Sequence, residues 1–206
     1  MTQLGIDVSE HNGPIDWQAI AAAGIGFAII RLGYGNGHLD SLFYAHVNGA
    51  LAAGLSVGTY FYSYALHEEA AEREADFMIS VLKDCGLAVE KLPMGCWLDM
   101  EDADGYKANH GIRDGGIITS LCCRFLETVK VNGYPAGLYA SYDWLTRVIG
   151  TDSLPPETPY WCAQWGRKCD FPKASLWQYT NHLAIGKQLF DGDRMLISNG
   201  KENGSA

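Results

Sequence analysis

The 206-residue sequence has no surplus of positive charge: 15 Lys and Arg stand against 24 Asp and Glu, a formal net charge of −9. No basic stripe runs along it, which argues against a nucleic-acid partner. The same balance supplies no long-range attraction to an anionic cell surface, so such a target must be held by short-range contacts or by another module. There is no C-x-x-C pair, and none of the six cysteines (Cys85, Cys96, Cys122, Cys123, Cys162 and Cys169) falls at a zinc-like spacing with histidine. Cys96 and Cys162 lie in strand-like runs and Cys122-Cys123 lie mid-helix, so the cysteines read as buried free thiols rather than a disulfide framework. That favours synthesis in a reducing cytosol. No apolar run is long enough to cross a membrane, and the N-terminus enters a strand at once without a signal peptide. Internal repeats and a D-x-D-x-D-G calcium loop are also missing.

What is present suits one sizeable domain, with 48% hydrophobic residues, 6 Trp and 11 Tyr. Amphipathic Trp and Tyr rings often line grooves for sugars or peptides, although partly buried packing also accounts for many of them. Strand-like and helix-like segments alternate. Strands are expected at Leu4–Val8, Phe27–Leu32, Ser56–Tyr62, Met94–Met100, Pro135–Ser141, Tyr160–Trp165, Leu176–Tyr179 and Phe190–Leu196. Helices are expected around Trp17–Ala23, Leu42–Ala53, Glu68–Lys83 and Ile117–Val131, with a short one near Tyr142–Ile149. Alternating βα units imply a parallel sheet, and eight strands fit a barrel. The later crossovers are too short for full helices. The expected fold is therefore α/β, an irregular (β/α)8-like barrel with an incomplete helical layer after the later strands. Residues 1–197 would form the domain and the polar 198–206 a flexible tail or linker.

The most telling segment is Met94-Gly95-Cys96-Trp97-Leu98-Asp99-Met100-Glu101, an apolar run ending in two carboxylates. Strand side chains alternate faces, so Asp99 and Glu101 share one face with Trp97 while Cys96, Leu98 and Met100 take the other. Adjacent acids raise each other's pKa, and such pairs commonly carry acid/base chemistry. In a parallel βα barrel the chemistry sits at the carboxyl ends of the strands. By that rule Asp7 of the first strand and Asp191 of the eighth join the pair, surrounded by Arg31, Tyr60, Tyr62, Tyr139, Gln164, Trp165 and Gln178. Paired carboxylates under an aromatic rim suit glycosidic cleavage, in which one acid is protonated and another stays ionised. A divalent-cation site is the competing use of clustered acids. The aromatic residues favour a sugar, and no metal or other cofactor is expected.

These residues resemble the glycoside hydrolase family 25 lysozymes, the N-acetylmuramidases. The resemblance runs through Gly5-Ile6-Asp7-Val8-Ser9, Asn12-Gly13 and Ile15-Asp16-Trp17, then Gly54-Leu55 with Gly58-Thr59-Tyr60-Phe61-Tyr62. It continues in Leu98-Asp99-Met100-Glu101, Trp177-Gln178-Tyr179 and Phe190-Asp191-Gly192-Asp193. It implies cleavage of the β-1,4 bond between N-acetylmuramic acid and N-acetylglucosamine in bacterial peptidoglycan. Glu101 would be the general acid and Asp99 the stabilising carboxylate. Asp7 and Asp191 would tune the pair and position water or partners, and Tyr62 and Tyr139 would line the sugar subsite, with Trp165, Gln178 and Arg31 also on the substrate. Two departures stand out: Leu32-Gly33-Tyr34-Gly35 replaces the family's Ser/Thr-Glu-Gly, with Asp40 further on, and Asp193 replaces its usual Asn. The alternative from a different class is a non-catalytic cell-wall glycan-binding module. The protein would work on the extracellular wall as a monomer, either as a phage lysin released from the cytoplasm or as a trimmed secreted enzyme. A cell-wall-binding module beyond Ala206 fits the same picture.

Overall fold

The first strand, β1 (Leu4–Val8), sets the alternation that the sheet repeats: Ile6 and Val8 turn outward into a core shared with the helices, while Gly5 and Asp7 turn inward. In this computed structural model, which describes residues 3–196, a 3₁₀ turn at Glu10–Asn12 leads to α1 (Trp17–Ala22), β2 (Phe27–Tyr34), a two-residue strand β3 (His38–Leu39) and α2 (Phe43–Ala52). Next come β4 (Ser56–Tyr62), α3 (Glu68–Asp84), β5 (Cys96–Asp99), the single turn α4 (Tyr106–Asn109) and α5 (Gly115–Val131). The last part holds β6 (Ala136–Ser141), a π-helical turn (Trp144–Val148), β7 (Tyr160–Ala163), β8 (Ala174–Ile185) and β9 (Gln188–Met195). Eight strands close a barrel, β3 being a short antiparallel addition to the edge of β2. The expected tail at 198–206 lies outside the described residues.

The expected parallel sheet needs one correction. From β1 through β2 and β4 to β8 the pairings are parallel, but β9 runs antiparallel to both β8 and β1. The cause is the connection: β8 and β9 extend until Ile185 pairs with Gln188, leaving only Gly186-Lys187 between them. Two residues make a hairpin, whereas a parallel crossover needs a dozen or more. Gly186, at φ 61°, supplies the left-handed backbone such a turn requires. The consequence is functional. Asp191 sits in the first half of its strand, which in a parallel strand would lie at the barrel floor. Reversal lifts it level with Asp7, its register partner on β1.

Two cores result. The outer one lies between sheet and helices and takes Ile30, Leu32, Cys96, Leu98, Met100 and Phe125. The inner one fills the barrel below the mouth with Phe27, Ile29, Met94, Trp97, Trp161 and Leu176. Trp161 meets Trp97 edge-on at 5.8 Å and Tyr139 at 4.5 Å, so an aromatic floor closes the barrel beneath its polar upper third. The helical layer thins as expected after β6, where, among the described residues, only the π-helical turn and one 3₁₀ turn (Thr151–Ser153) follow. All six cysteines are free, yet only Cys96, Cys122 and Cys162 are buried; Cys85 is exposed and Cys123 and Cys169 are half-buried.

The floor has no spare volume at Gly137 on β6, where a Cβ would overlap the Trp97 ring and crowd Pro159. Gly137→Ala is therefore expected to cost about 1–3 kcal/mol by overpacking. Thermal unfolding should read this as a fall of roughly 2–10 °C, and an unchanged midpoint would mean the floor is loosely packed.

Candidate active site

Asp7, Asp99, Glu101 and Asp191 all face one cavity of about 320 Å³ in the barrel mouth, walled by Tyr60, Tyr62, Tyr139 and Trp161. Regular pairing of β5 ends at Asp99, earlier than the sequence pattern suggests. The backbone stays extended one step further because the Met100 N–H donates to the Tyr139 carbonyl. Glu101 thus returns to the face of Asp99 while Met100 is buried in the outer core.

Hydrogen bonds fix the remaining predicted residues. Gln178 Nε2 donates to Asp7 Oδ2 at 2.9 Å, while Gln178 Oε1 accepts from Tyr139 Oη–H at 3.2 Å and from Trp165 Nε1 at 3.1 Å. Both ends of this buried amide are engaged within the protein, so Gln178 orients Asp7. Trp165 remains 60% exposed at the rim, outside the cavity wall. Gln164 turns away to Asp170. Arg31 is held by Asp40 Oδ2 through Nε at 2.8 Å and by Glu10 Oε1 through Nη2 at 2.9 Å. It marks the border between the mouth and a second groove of about 500 Å³, and Tyr62 and Glu101 also face both spaces. Tyr34, Tyr64 and Asp104 line that outer groove.

Electrostatics favour protonated acids. Burial, reinforced by Asp191, pushes Asp7 up to about 7, against the hydrogen bond from Gln178. Burial raises Asp99 well above the usual carboxylate range, with Glu101 and Asp7 adding repulsion, and Asp99 Oδ1 accepts no hydrogen bond from the described residues. Glu101 is raised by burial too, with Lys107 pulling the other way, and Asp191 is raised by burial. A cluster that holds protons near neutrality, in a concave aromatic pocket, can donate one to a bound group.

The model of glycosyl hydrolases family 25 matches residues 6–187. The chain belongs to glycosyl hydrolases family 25. That makes it a glycoside hydrolase of the lysozyme type. Among its relatives, Lysozyme M1 of Streptomyces globisporus is 26% identical over 208 residues, which span 98% of this chain and 68% of the relative. A family 25 glycosyl hydrolase from Bacillus anthracis superposes with a TM-score of 0.79 at 22% identity, covering 96% of this chain and 90% of the other. The modular autolysin LytC from Streptococcus pneumoniae, solved with a synthetic peptidoglycan ligand, gives 0.80 at 22% identity over 95% of this chain. This family 25 chain spans 47% of that autolysin's length.

Sequence reasoning missed two residues that hold the site together. Glu10 anchors Arg31 and also accepts from Ser41 Oγ and the Ser41 N–H. Lys107, 1% exposed, is a cation buried behind the acid pair. Its ammonium donates to the carbonyls of Ser63 and of Glu101, the latter at 3.0 Å, and stands 5.9 Å from the centre of the Tyr62 ring. Asp102 starts α4 by accepting the Lys107 and Ala108 N–H groups, which points the lysine inward. Glu74 of α3 balances it from behind, bonded to Ser63 Oγ at 2.6 Å and the Tyr64 N–H at 2.9 Å. The one sequence signal was a lone lysine in an acidic loop, which ordinarily reads as solvated surface.

Because Lys107 favours the ionised form of Glu101, replacing it by Met should move the Glu101 titration midpoint further up. Carboxyl ¹³C shifts measured across pH in Lys107→Met would show this. An unmoved midpoint would mean that Lys107 only shapes the loop.

Proposed function

We propose that this hydrolase cleaves the β-1,4 bond between N-acetylmuramic acid and N-acetylglucosamine in bacterial peptidoglycan, with Glu101 as general acid and Asp99 as stabilising carboxylate. The observation that carries the reading is the pair itself: two acids one alternate position apart at the end of β5, with raised proton affinity, in a tyrosine-walled mouth. The named relatives support the substrate, one being a lysozyme and another an autolysin solved with a synthetic peptidoglycan ligand.

The division of labour follows from the surroundings. Glu101 is the less enclosed acid and faces both the mouth and the outer groove, so a glycosidic oxygen spanning the two spaces comes within its reach. Its raised pKa keeps the proton available for the leaving oxygen. Asp99 lies deeper, and its Oδ1 has no donor. A substrate N-acetyl N–H arriving there supplies the hydrogen bond that favours the ionised carboxylate. Ionised Asp99 then stabilises the cationic transition state or orients the acetamide as internal nucleophile. Asp7 and Asp191 adjust the pair's charge from the opposite wall, Tyr62 and Tyr139 seat the sugar, and Trp165 extends the rim. Gln178 and Arg31 serve the substrate through the residues they hold, Asp7 in one case and the Glu10–Asp40 edge of the outer groove in the other.

On this reading residues 1–197 are the catalytic domain, acting as a monomer on the wall outside the cell, whether released as a phage lysin or secreted and trimmed. Residues 198–206 lie outside that domain as a tail or linker. Glu101→Gln should lower lysis of bacterial walls by about 10²–10⁴-fold with an unchanged circular dichroism spectrum, and Asp99→Asn should also be severe. If Glu101→Gln kept more than a few per cent of the rate, the acid would lie elsewhere; if Asp99→Asn kept the full rate, Asp99 would be only a strand-end residue.

A further inference from the structure

Asp193 is 0% exposed and points into the barrel two residues beyond Asp191, opposite Gly5 on β1 and Gln178 on β8. Its Oδ1 accepts from Trp161 Nε1 at 2.8 Å, but Oδ2 has no N–H or O–H donor among the described residues. Its diagonal neighbour on the inner face is Asp7, which pairs across the ladder with Asp191 two residues earlier, and each of the two carboxyls acts on the other. Two ionised carboxylates buried side by side in the barrel would combine strong repulsion with the loss of both hydration shells. Among the described residues no lysine or arginine forms an ion pair with either of them. The ionisable groups around the pair are Asp99 on β5, Tyr60 and Tyr62 on β4, Tyr139 on β6, Asp191 on the same strand as Asp193, Glu101 beyond β5, His11 in the turn after β1, and Arg31 on β2. Of these, Arg31 carries the fixed positive charge, and it is already paired with Asp40 and Glu10.

We infer that Asp193 carries a proton on Oδ2 and donates it to Asp7, so that the two acids hold a single negative charge and Asp7 is fixed between two donors. Gln178 Nε2 is the other donor, on Asp7 Oδ2. The orphaned oxygen and the apparent carboxylate collision then have one explanation. Asp193 acts through Asp7 and is a positioning residue, and its importance for lysis rests on the muramidase reading above. It also accounts for the departure from the Asn usual in the family. An amide at 193 would place an N–H where the acid places its O–H, but the amide cannot lose its donor as pH rises. Burial raises Asp193 well above the carboxylate range and Asp7 to about 7, in line with retention of the proton.

The sign of the pH effect follows. A carboxyl that binds its proton more tightly in the folded than in the unfolded chain contributes stability that is full below about pH 4. That stability declines as pH rises through the folded value, about 7 for Asp7. Asp193→Asn keeps the donor and removes one titrating group. Thermal unfolding of the parent, Asp193→Asn and Asp193→Ala between pH 4 and 9 tests this. The Asn variant should lose less of its unfolding temperature than the parent between pH 5 and 9, and be the more stable of the two at pH 9. At pH 6, Asp193→Ala should lower wall lysis at least tenfold and Asp193→Asn should rescue it. The infrared spectrum of the parent at pH 7 should contain a protonated-carboxyl C=O band that Asp193→Asn diminishes. Parallel pH–stability curves for parent and Asn variant, an unaltered carboxyl band, or an Asn variant that does not fold would overturn the proposal. Absence of lysis in the parent itself would overturn the muramidase reading and leave the thermal and infrared results to decide the shared proton.

Discussion

The antiparallel pairing of β9 against β1 is the constraint on which the mouth depends. It closes the barrel, and it brings the two acids of the last strand to opposite ends of the Asp7 side chain: Asp191 level with it at the mouth, Asp193 below it against Trp161. A parallel last strand would have put the same residues at the wrong height. Since β8 and β9 are joined by Gly186-Lys187 alone, the direction of β9, and with it the geometry of the site, follows from the shortness of one turn.

That closure concentrates acids in a space with little positive charge. Asp7, Asp99, Glu101, Asp191 and Asp193 all titrate above their ordinary range, chiefly because burial disfavours the charged form. The two cations nearby are placed to limit the effect without abolishing it. Lys107 approaches Glu101 from its backbone side, and Arg31 is held at the groove border by two carboxylates of its own. The site therefore stores protons in the free protein, as suits a reaction that begins by protonating a leaving group. The arrangement also carries a stability cost, since uncompensated acids are most easily accommodated when they are neutral.

Much of this was legible from residue pattern. Alternation placed β1 and β4 to the residue, and put Trp97, Asp99 and Glu101 on the inner face with Leu98 and Met100 outside. The thin helical layer after β6 followed from the shortness of the late connections. The direction of β9 did not follow, because Thr180–Gln188 carries no strong strand alternation and reads as a connection, although most of it pairs in the β8–β9 hairpin. Lys107 and Glu10 were missed for a different reason: their partners lie far along the chain, Ser63 44 residues from Lys107 and Arg31 21 from Glu10, and charged residues in loops ordinarily face water. Gln178 and Trp165 stood among the candidate site residues, but the bonds of Gln178 to Trp165 and to Asp7 depend on neighbouring strands that no local pattern reveals.

On the proposed function, the Asp99–Glu101 mouth hydrolyses the muramic acid linkage of the bacterial wall. The most direct measurement is mass spectrometry of peptidoglycan digested by the protein and reduced with borohydride. Muramitol at the newly formed reducing ends is the predicted result. Glucosaminitol at those ends, or no new reducing ends at all, would contradict the claim, the latter in favour of a wall-binding protein without turnover.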